Sequence, residues 1–242
     1  MIRAEGLTKT FGANRVLRAL DFEAPKGSIT IIIGRSGGGK SVFLKHLIGL
    51  MRPDAGHVSI DGVDITDLGG RELEAVRRRY GVVFQSGALF DSLTCWENVA
   101  FPLRETTRAS RTEIRTRVAA ALEQVELAGV GPKYPAEISG GMRKRVAIAR
   151  ALVSEPEIIF FDEPTTGLDP VLVNTIHRLI RGLHERHRFT AVMVSHEIPE
   201  IFEIADRVAM LHEGRIVEAG PPEAMQASTN PVVRKFINGE PD

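Results

Sequence analysis

The sequence predicts an α/β fold that combines a mainly parallel sheet with an inserted helical segment. Three continuous apolar runs rich in β-branched or aromatic residues, Ser28–Ile33, Ile158–Asp162 and Ala191–Ser195, are typical of strands buried on both faces. Between the first two runs, from about residue 86 to 153, the apolar spacing becomes helical. Strands that alternate with helices indicate a parallel sheet, and the long helical stretch indicates a subdomain.

The remaining elements follow from the same patterns in chain order. The other predicted strands are Ile2–Leu7, Val16–Ala24, His57–Ile60, Tyr80–Phe84, and a terminal hairpin of Arg207–Leu211 and Arg215–Ala219 around Glu213-Gly214. The predicted helices are Lys40–Leu50, Arg71–Arg79, Ser110–Val125, Arg143–Val153 and Val171–Glu185. We expect a single domain over residues 1–242, with a helical subdomain at about 86–155 and a C-terminal tail at about 221–242.

The charge balance excludes some functions. The 242 residues include 31 Lys and Arg against 31 Asp and Glu, so the formal net charge is zero. A protein that binds nucleic acid through its overall field needs a surplus of basic side chains, and so does a polybasic membrane arm. We therefore expect no nucleic-acid partner.

The single cysteine and the apolar runs bear on compartment and membrane. Cys95 cannot form an intrachain disulfide, which favours a reducing compartment, and without metal-ligand spacing it is predicted to be a packed thiol. The N-terminus has no apolar secretory core. The longest apolar runs are far shorter than the ~20 residues that a bilayer demands, so we expect that the chain does not cross a membrane by itself.

A phosphate-binding loop follows the first buried strand. Gly34–Ser41 reads GRSGGGKS, which matches G-x-x-x-x-G-K-[ST] between a predicted strand and a predicted helix. Glycines let successive backbone N–H groups point inward, and the helix N-terminus adds a partial positive charge. We expect Lys40 to reach the β and γ phosphates and the Ser41 hydroxyl to bind Mg²⁺.

Two acids and one histidine stand at the ends of the other buried strands. Asp162 and Glu163 end the strand Ile158–Asp162, and His196 follows the strand that ends at Ser195. Open α/β sheets bind ligands at the carboxyl ends of their strands, so Asp162 is expected to meet the Mg²⁺ and Glu163 to polarise the attacking water. On position alone, His196 is as readily structural as functional.

Further motifs make a family resemblance specific. Gln85 follows an apolar strand, Ile138–Met142 reads ISGGM at the start of a basic helix, and Gly167–Asp169 reads GLD. In this order, together with the loop, the acids and the histidine, these motifs resemble the nucleotide-binding subunit of ATP-binding cassette (ABC) proteins from about Ile2 to Gly220. The resemblance implies an ATPase with a RecA-like P-loop NTPase core, an N-terminal antiparallel β subdomain and a signature motif in the helical subdomain.

The resemblance also implies a role for each matching residue. Phe11 would stack on adenine, Gln85 would contact Mg²⁺ or water and report to a membrane partner, Asp169 would couple two sites, and His196 would hold the γ phosphate. Ser139, Gly140 and Gly141 would cap the γ phosphate of the opposite subunit in a head-to-tail homodimer that holds two ATP molecules. The implied nucleotide-binding residues are Phe11, Val16, Ser36, Gly37, Gly38, Gly39, Lys40, Ser41, Val42, Ser139, Gly140, Gly141 and Asp169.

Three positions depart from the usual family pattern. Arg35 stands where many relatives have Pro, which changes little. Val42 follows Ser41 where a second hydroxyl is common, so one contact to the α phosphate is lost while the backbone N–H remains. Met142 replaces the usual Gln of the signature, which removes a polar contact across the dimer.

The stretches GRSGGGKSVFLKHLIGL, FQSGALFDSLTCWENVAFPLRE and ISGGMRKRVAIARAL resemble the subgroup that powers Mla-type lipid transport. This implies a small integral permease, an MCE-domain lipid-binding protein, a possible STAS-type regulatory subunit and a peripheral place on the cytoplasmic face of the inner membrane. Leu89, Phe90 and Trp96, after Gln85, either suit a groove for the permease or pack inside the helical subdomain.

Other functions stay open as alternatives. The chain could serve another importer or exporter, or act as a nucleic-acid-associated ABC ATPase. The second is opposed by the neutral charge, the lack of room for a long coiled coil between Ser41 and Ile158, and the presence of one loop and one signature. A binding-only module is disfavoured because Glu163 and His196 are both present.

Overall fold

The computed structural model describes residues 1–240, and the last two residues of the predicted tail lie outside the described part. The strands in chain order are β1 Ile2–Phe11, β2 Asn14–Ala24, β3 Ile29–Ile33, β4 Ala55–Ile60, β5 Val63–Asp64, β6 Tyr80–Val83, β7 Ile158–Asp162, β8 Thr190–Ser195, β9 Arg207–His212 and β10 Arg215–Gly220. The α-helices are α1 Lys40–Leu47, α2 Gly70–Arg77, α3 Cys95–Thr106, α4 Arg111–Gln124, α5 Gly140–Leu152, α6 Pro170–His187, α7 Pro222–Gln226 and α8 Pro231–Ile237.

The chain forms two compact units. The first contains Met1–Arg77 and the chain from Thr190 onward, and the second contains Arg78–Phe189. The second unit is wider than the helical subdomain predicted at about 86–155, because it also contains β6, β7 and α6.

The first unit carries two groups of strands. One is an antiparallel sheet in the order β2-β1-β4-β5, as predicted for the N-terminal part. In the other, β3 lies between β8 and β9 and is parallel to both, while β10 pairs antiparallel with β9 as the predicted hairpin. All residues of β3 and β8 are buried, as expected for apolar strands covered on both faces.

The second unit pairs β6 parallel to β7 and packs α3 against α4 and α5. Side-chain caps start its four long helices: Thr94, Ser110, Ser139 and Asp169 each accept a hydrogen bond from a backbone N–H of the first turn. Such caps satisfy donors that a helix N-terminus otherwise leaves unpaired. The predicted α/β class is therefore confirmed, with a helical segment between the strands that carry the motifs.

The boundaries differ from prediction mainly at element ends. Strand β1 runs on to Phe11, whereas the sequence predicts an end at Leu7, and α1 ends at Leu47 before Gly49 adopts a positive φ of 70°. Two short helices after the hairpin, α7 and α8, were not predicted, although each begins with a proline in its first turn, which is a known start signal.

Cys95 is buried at the start of α3, and burial raises the pKa of its thiol, which agrees with a packed side chain. Within residues 1–240, the helices are too short or too polar to traverse a lipid bilayer.

Candidate functional site

The phosphate loop leaves β3 and ends where α1 begins. Gly37 and Gly39 have positive φ values of 75° and 94°, which glycine adopts without strain. Gly39 is the N-cap of α1 and supplies no side-chain cap, so no capping side chain covers the helix N-terminus. Ser41 and Val42 lie half-buried in the first turn of α1, where backbone N–H groups lack helical partners.

Lys40 is held inside the loop. Its side chain is buried, and Nζ donates to the carbonyl oxygens of Gly34 at 2.9 Å and Arg35 at 3.1 Å. A buried ammonium group beside a curved backbone and a helix N-terminus makes this loop suited to a polyphosphate. The loop's own geometry thus fits the nucleotide that the sequence predicts.

Val16 packs against this loop. A Cβ added to Gly39 would lie 2.9 Å from Cγ1 of Val16, so glycine permits the contact. On its other side, a Cβ on Gly214 would lie 2.5 Å from the Val16 carbonyl oxygen. The turn between β9 and β10 therefore packs against the backbone of Val16, while the Val16 side chain packs against the phosphate loop. Phe11, at the end of β1, is 45% exposed, which leaves its ring accessible for stacking.

His196 follows β8 and lies exposed in the first unit. A cavity of about 510 Å³ is lined by His196 together with Arg35 and Ser36 of the phosphate loop and with Phe236 and Ile237 of α8. The fold therefore brings His196 to the phosphate loop, as predicted from their positions after neighbouring parallel strands β8 and β3.

Glu163 has a fixed orientation in the second unit. Its Oε2 accepts hydrogen bonds from Gln85 Nε2 at 3.2 Å and from Thr166 Oγ1 at 3.0 Å. Its backbone has a positive φ of 46°, a conformation that costs free energy for a residue other than glycine and often occurs at active sites. Asp162 precedes it as the last residue of β7, half-buried.

Two basic side chains of α5 hold the segment that starts at Gln85. Lys144 is buried and donates to the Gln85 carbonyl oxygen, and Arg150 donates to the carbonyl oxygens of Gly87 and Ala88, each at 2.7 Å. Burial lowers the pKa of Arg150. Sequence reasoning missed Lys144, Arg150 and Thr166. A period-3.6 pattern identifies the helix but does not reveal which of its charged residues face backbone carbonyls.

The signature residues stand at the start of α5. Ser139 is the N-cap of α5 and accepts from Met142 N at 3.3 Å, while Asp169 is the N-cap of α6 and accepts from Leu172 N at 3.0 Å. A Cβ on Gly141 would meet Leu172 at 3.5 Å, and one on Gly140 would meet nothing nearer than 3.8 Å. These are ordinary contacts, so packing within this chain does not require glycine at either position.

The predicted residues thus fall into two sets. The first unit holds the phosphate loop, Phe11, Val16 and His196, and the second unit holds Gln85, the signature, Asp162, Glu163 and Asp169. Among the residues described, no cluster of three or more His, Cys, Asp or Glu side chains has the geometry of a metal site.

Comparisons with known proteins agree with this arrangement. The family model for ABC transporters matches residues 17–166. The chain is 40% identical over 242 residues to the intermembrane phospholipid transport system ATP-binding protein MlaF of Haemophilus influenzae, covering 100% of this chain and 92% of that protein. It is 45% identical over 238 residues to the probable ribonucleotide transport ATP-binding protein mkl of Mycobacterium leprae, covering 98% of this chain and 69% of that longer protein.

A solved structure has the same fold. The dimeric post-hydrolysis state of an ATP-binding cassette, bound to ADP and Pi, superposes with a TM-score of 0.83 at 34% identity, covering 92% of this chain and 99% of that one. Because the family model spans more than half of the chain and the phosphate loop and strand-end acids lie within the matched segment, the chain belongs to the ABC transporter family, as one of its ATP-binding ATPase cassettes.

Proposed function

We propose that this chain is the ATP-hydrolysing subunit of an ABC transporter that moves phospholipid through a separate permease. The observation that carries the catalytic part is the Glu163 carboxylate, oriented by Gln85 and Thr166 at the end of β7. A carboxylate held in one orientation suits a general base that directs a water molecule at the γ phosphate.

The nucleotide contacts are assigned to side chains and backbone of the phosphate loop. Backbone N–H groups of Ser36–Val42 would hold the phosphates, Lys40 would neutralise the β and γ phosphates, and His196 would contact the γ phosphate from the cavity it shares with Ser36. Phe11 would stack on the base, and Val16 would lie beside it. Lys40 would exchange its two loop carbonyls for phosphate oxygens.

The metal would be Mg²⁺. The Ser41 hydroxyl, the Asp162 carboxylate and the Gln85 amide are oxygen donors of the kind that Mg²⁺ prefers, and few protein ligands are typical of Mg²⁺ at a nucleotide. Bound there, Mg²⁺ would supply charge neutralisation of the β and γ phosphates.

The working unit would be a head-to-tail homodimer. Ser139, Gly140 and Gly141 form a helix start whose two glycines are not needed for packing inside the chain, so the bare backbone is explained by close approach of a group from outside it. In the dimer that group would be the γ phosphate held by the other subunit. Asp169, exposed at the start of α6, would couple the two sites.

The permease would dock on the segment after Gln85. Phe90 and Phe101 are 44% and 36% exposed, and their ring centroids lie 4.9 Å apart, so they form an exposed aromatic pair. Leu89 and Trp96 are half-buried, so they contribute less to such a surface. Lys144 and Arg150 fix this segment to α5, whose start carries the signature, so movement of the permease would reach the nucleotide site.

We further propose that the whole chain is one cassette domain, with a helical subdomain at about 86–155 and a tail from about 221. It would lie on the cytoplasmic face of the inner membrane, held by an Mla-type permease. An MCE-domain protein and a small STAS-type subunit would complete the complex. Phospholipid is proposed as the cargo because the chain is 40% identical over 242 residues to MlaF, which is named as part of an intermembrane phospholipid transport system.

The test is purification of the tagged chain from membranes with its permease, followed by reconstitution in proteoliposomes. We expect ATP-dependent movement of a fluorescent phospholipid, and none with the Glu163→Gln complex. ATP-dependent uptake of a labelled ribonucleotide without lipid movement would contradict the cargo. Co-purification with nucleic acid in place of a membrane protein would contradict the transporter itself.

A further inference from the structure

A cavity rich in arginine lies on the second unit, outside the nucleotide-binding residues proposed above. It has a volume of about 650 Å³ and is lined by Trp96, Arg104, Arg111, Thr112, Ile114 and Arg115, which we call the arginine cavity. We propose that the arginine cavity binds an acidic segment of a protein partner.

The charge of the cavity has one sign. No acidic side chain lines it, and within residues 1–240 none of Arg104, Arg111 and Arg115 has a carboxylate within 4.0 Å. The next arginine of the same helix behaves differently, since Arg117 lies 3.8 Å from both Glu113 and Glu155. A chain with zero net charge that leaves three neighbouring arginines without carboxylates offers a site for an external anion.

An acidic residue close to Arg104, Glu97, is engaged in a helix cap. Glu97 has a lowered pKa, mainly because its carboxylate accepts from the Thr94 backbone N–H and hydroxyl, each at 2.9 Å, and to a lesser extent because Arg104 is near. This carboxylate caps α3 and offsets part of the charge of Arg104, which leaves Arg111 and Arg115 to carry the positive charge of the cavity.

The cavity also has an apolar wall. The Arg104 guanidinium lies 5.2 Å from the centre of the Trp96 ring, an attraction that restricts its motion while leaving N–H donors at its edge. Of the apolar lining residues, Ile114 is buried and Trp96 is half-buried. An occupant should therefore carry both negative charge and an apolar side chain.

These features together favour a peptide over a membrane surface or a free phosphate ion. Guanidinium groups bind carboxylates through paired N–H donors, which rewards Asp or Glu. Free phosphate makes no use of the apolar wall. The three arginines are themselves exposed, so the concave shape and the apolar wall, which suit an inserted side chain, are what favour a peptide over a membrane surface.

Trp96 provides a direct readout because it is the sole tryptophan of the chain. The probe is a synthetic peptide of alternating Glu and Leu residues, with a Gln-Leu peptide as the matched control. We expect the Glu-Leu peptide to change Trp96 emission saturably and to bind more weakly as salt is raised. The Gln-Leu peptide should not change Trp96 emission.

The variant Arg111→Glu with Arg115→Glu should lower the affinity for the Glu-Leu peptide at least about tenfold, because the negative charges of the variant and of the peptide repel each other. The matched control reverses Arg178 and Arg186 on α6, which are exposed and outside the cavity, and should leave affinity unchanged. Basal ATP hydrolysis should persist in both variants. If the Glu variant fails to fold, Arg111→Gln with Arg115→Gln replaces it, with the same direction of effect.

Three results would overturn the proposal. One is the absence of saturable binding by the Glu-Leu peptide. Another is equal affinity in the cavity variant and the wild type. The third is Trp96 emission that responds to phosphatidylglycerol vesicles or to inorganic phosphate but not to the peptide, which would assign the cavity to a lipid headgroup or a free anion.

Discussion

Glu163 shows how one carboxylate is given both position and orientation. The buried strand β7 fixes the position of the backbone just before Glu163. Hydrogen-bond donors of Gln85 and Thr166 fix one oxygen of the Glu163 carboxylate. A general base must be oriented before its pKa matters, since proton transfer needs a heavy-atom separation of about 3 Å. The positive φ of Glu163 is unfavourable in free energy, and strand β7 and the hydrogen bonds to the carboxylate hold the residue in that conformation.

We expect Glu163→Gln to lower ATP turnover by about 100-fold or more while ATP binding persists. The amide oxygen of Gln can still accept both hydrogen bonds, so the fold should survive, but an amide cannot take a proton from water. Steady-state phosphate release and equilibrium binding of a fluorescent ATP analogue measure the two effects. As the control, Lys40→Ala should instead weaken binding. A Glu163→Gln variant that hydrolyses ATP at the normal rate would remove Glu163 from catalysis.

At the scale of elements, helix α5 carries the signature residues at its start and anchors a neighbouring segment from its interior. Only the first of these roles can be recognised in the sequence. Its start presents Ser139 and the two glycines, which the motif reveals. In its interior, Lys144 and Arg150 donate hydrogen bonds to backbone carbonyl oxygens of the segment that starts at Gln85, and no motif reveals these contacts. One rigid helix therefore links the signature to the proposed permease surface.

The glycines of α5 can be tested separately from folding. Gly141→Ala meets only ordinary contacts with Leu172, and Gly182→Ala, inside α6, meets nothing within 4 Å. Both should keep or raise stability, by about 1 kcal/mol at most, because Ala favours a helix over Gly. We expect only Gly141→Ala to lose ATPase activity, by about tenfold or more, since a methyl group would displace the facing phosphate.

Thermal unfolding and steady-state ATPase assays measure this pair of variants. Equal activity of Gly141→Ala and wild type would show that no group from a second subunit approaches this backbone. Loss of stability in Gly141→Ala alone would instead mean that the glycine is required for the fold.

For the whole molecule, two histidines tie stability to pH. Burial lowers the pKa of His46 and of His187 below the ordinary value of 6.5. His46 Nδ1 lies 2.7 Å from the Val42 carbonyl oxygen, while its buried Nε2 has no hydrogen-bond partner within residues 1–240. Protonation would place a charge in buried surroundings, and this cost outweighs the stabilisation of the charged ring by the backbone of Val42 and Arg52.

The unfolded chain therefore binds protons more readily than the folded one just below pH 6.5. Stability should be complete above that pH and should decline as the pH falls toward the lowered pKa values. We expect the unfolding temperature to drop between pH 7.5 and 5.5, and to drop less in His46→Gln with His187→Gln. His57→Gln, at an exposed position, serves as the control. An identical pH dependence in wild type and the double variant would contradict this account.

Much of the fold could be predicted because its main signals are local. The continuous apolar strands, the glycine loop and the terminal hairpin each follow from neighbouring residues, and the structure confirms them. Helices α7 and α8 are not predicted because each is shorter than two helical turns. Such short segments show too little periodicity to be recognised as helices.

The sequence by itself determined the family and the order of the motifs, and it predicts which residues bind the nucleotide, because backbone conformation at a glycine loop and charge at a strand end are properties of short segments. Only the tertiary structure decided what orients those residues: the donors to Glu163, the contact of Val16 with Gly39, the basic anchors of α5, and the convergence of three arginines beside Trp96. The contacts of Glu163 with Gln85 and of Arg150 with the segment after Gln85 join residues distant in sequence, and such partners are chosen by packing rather than by local propensity.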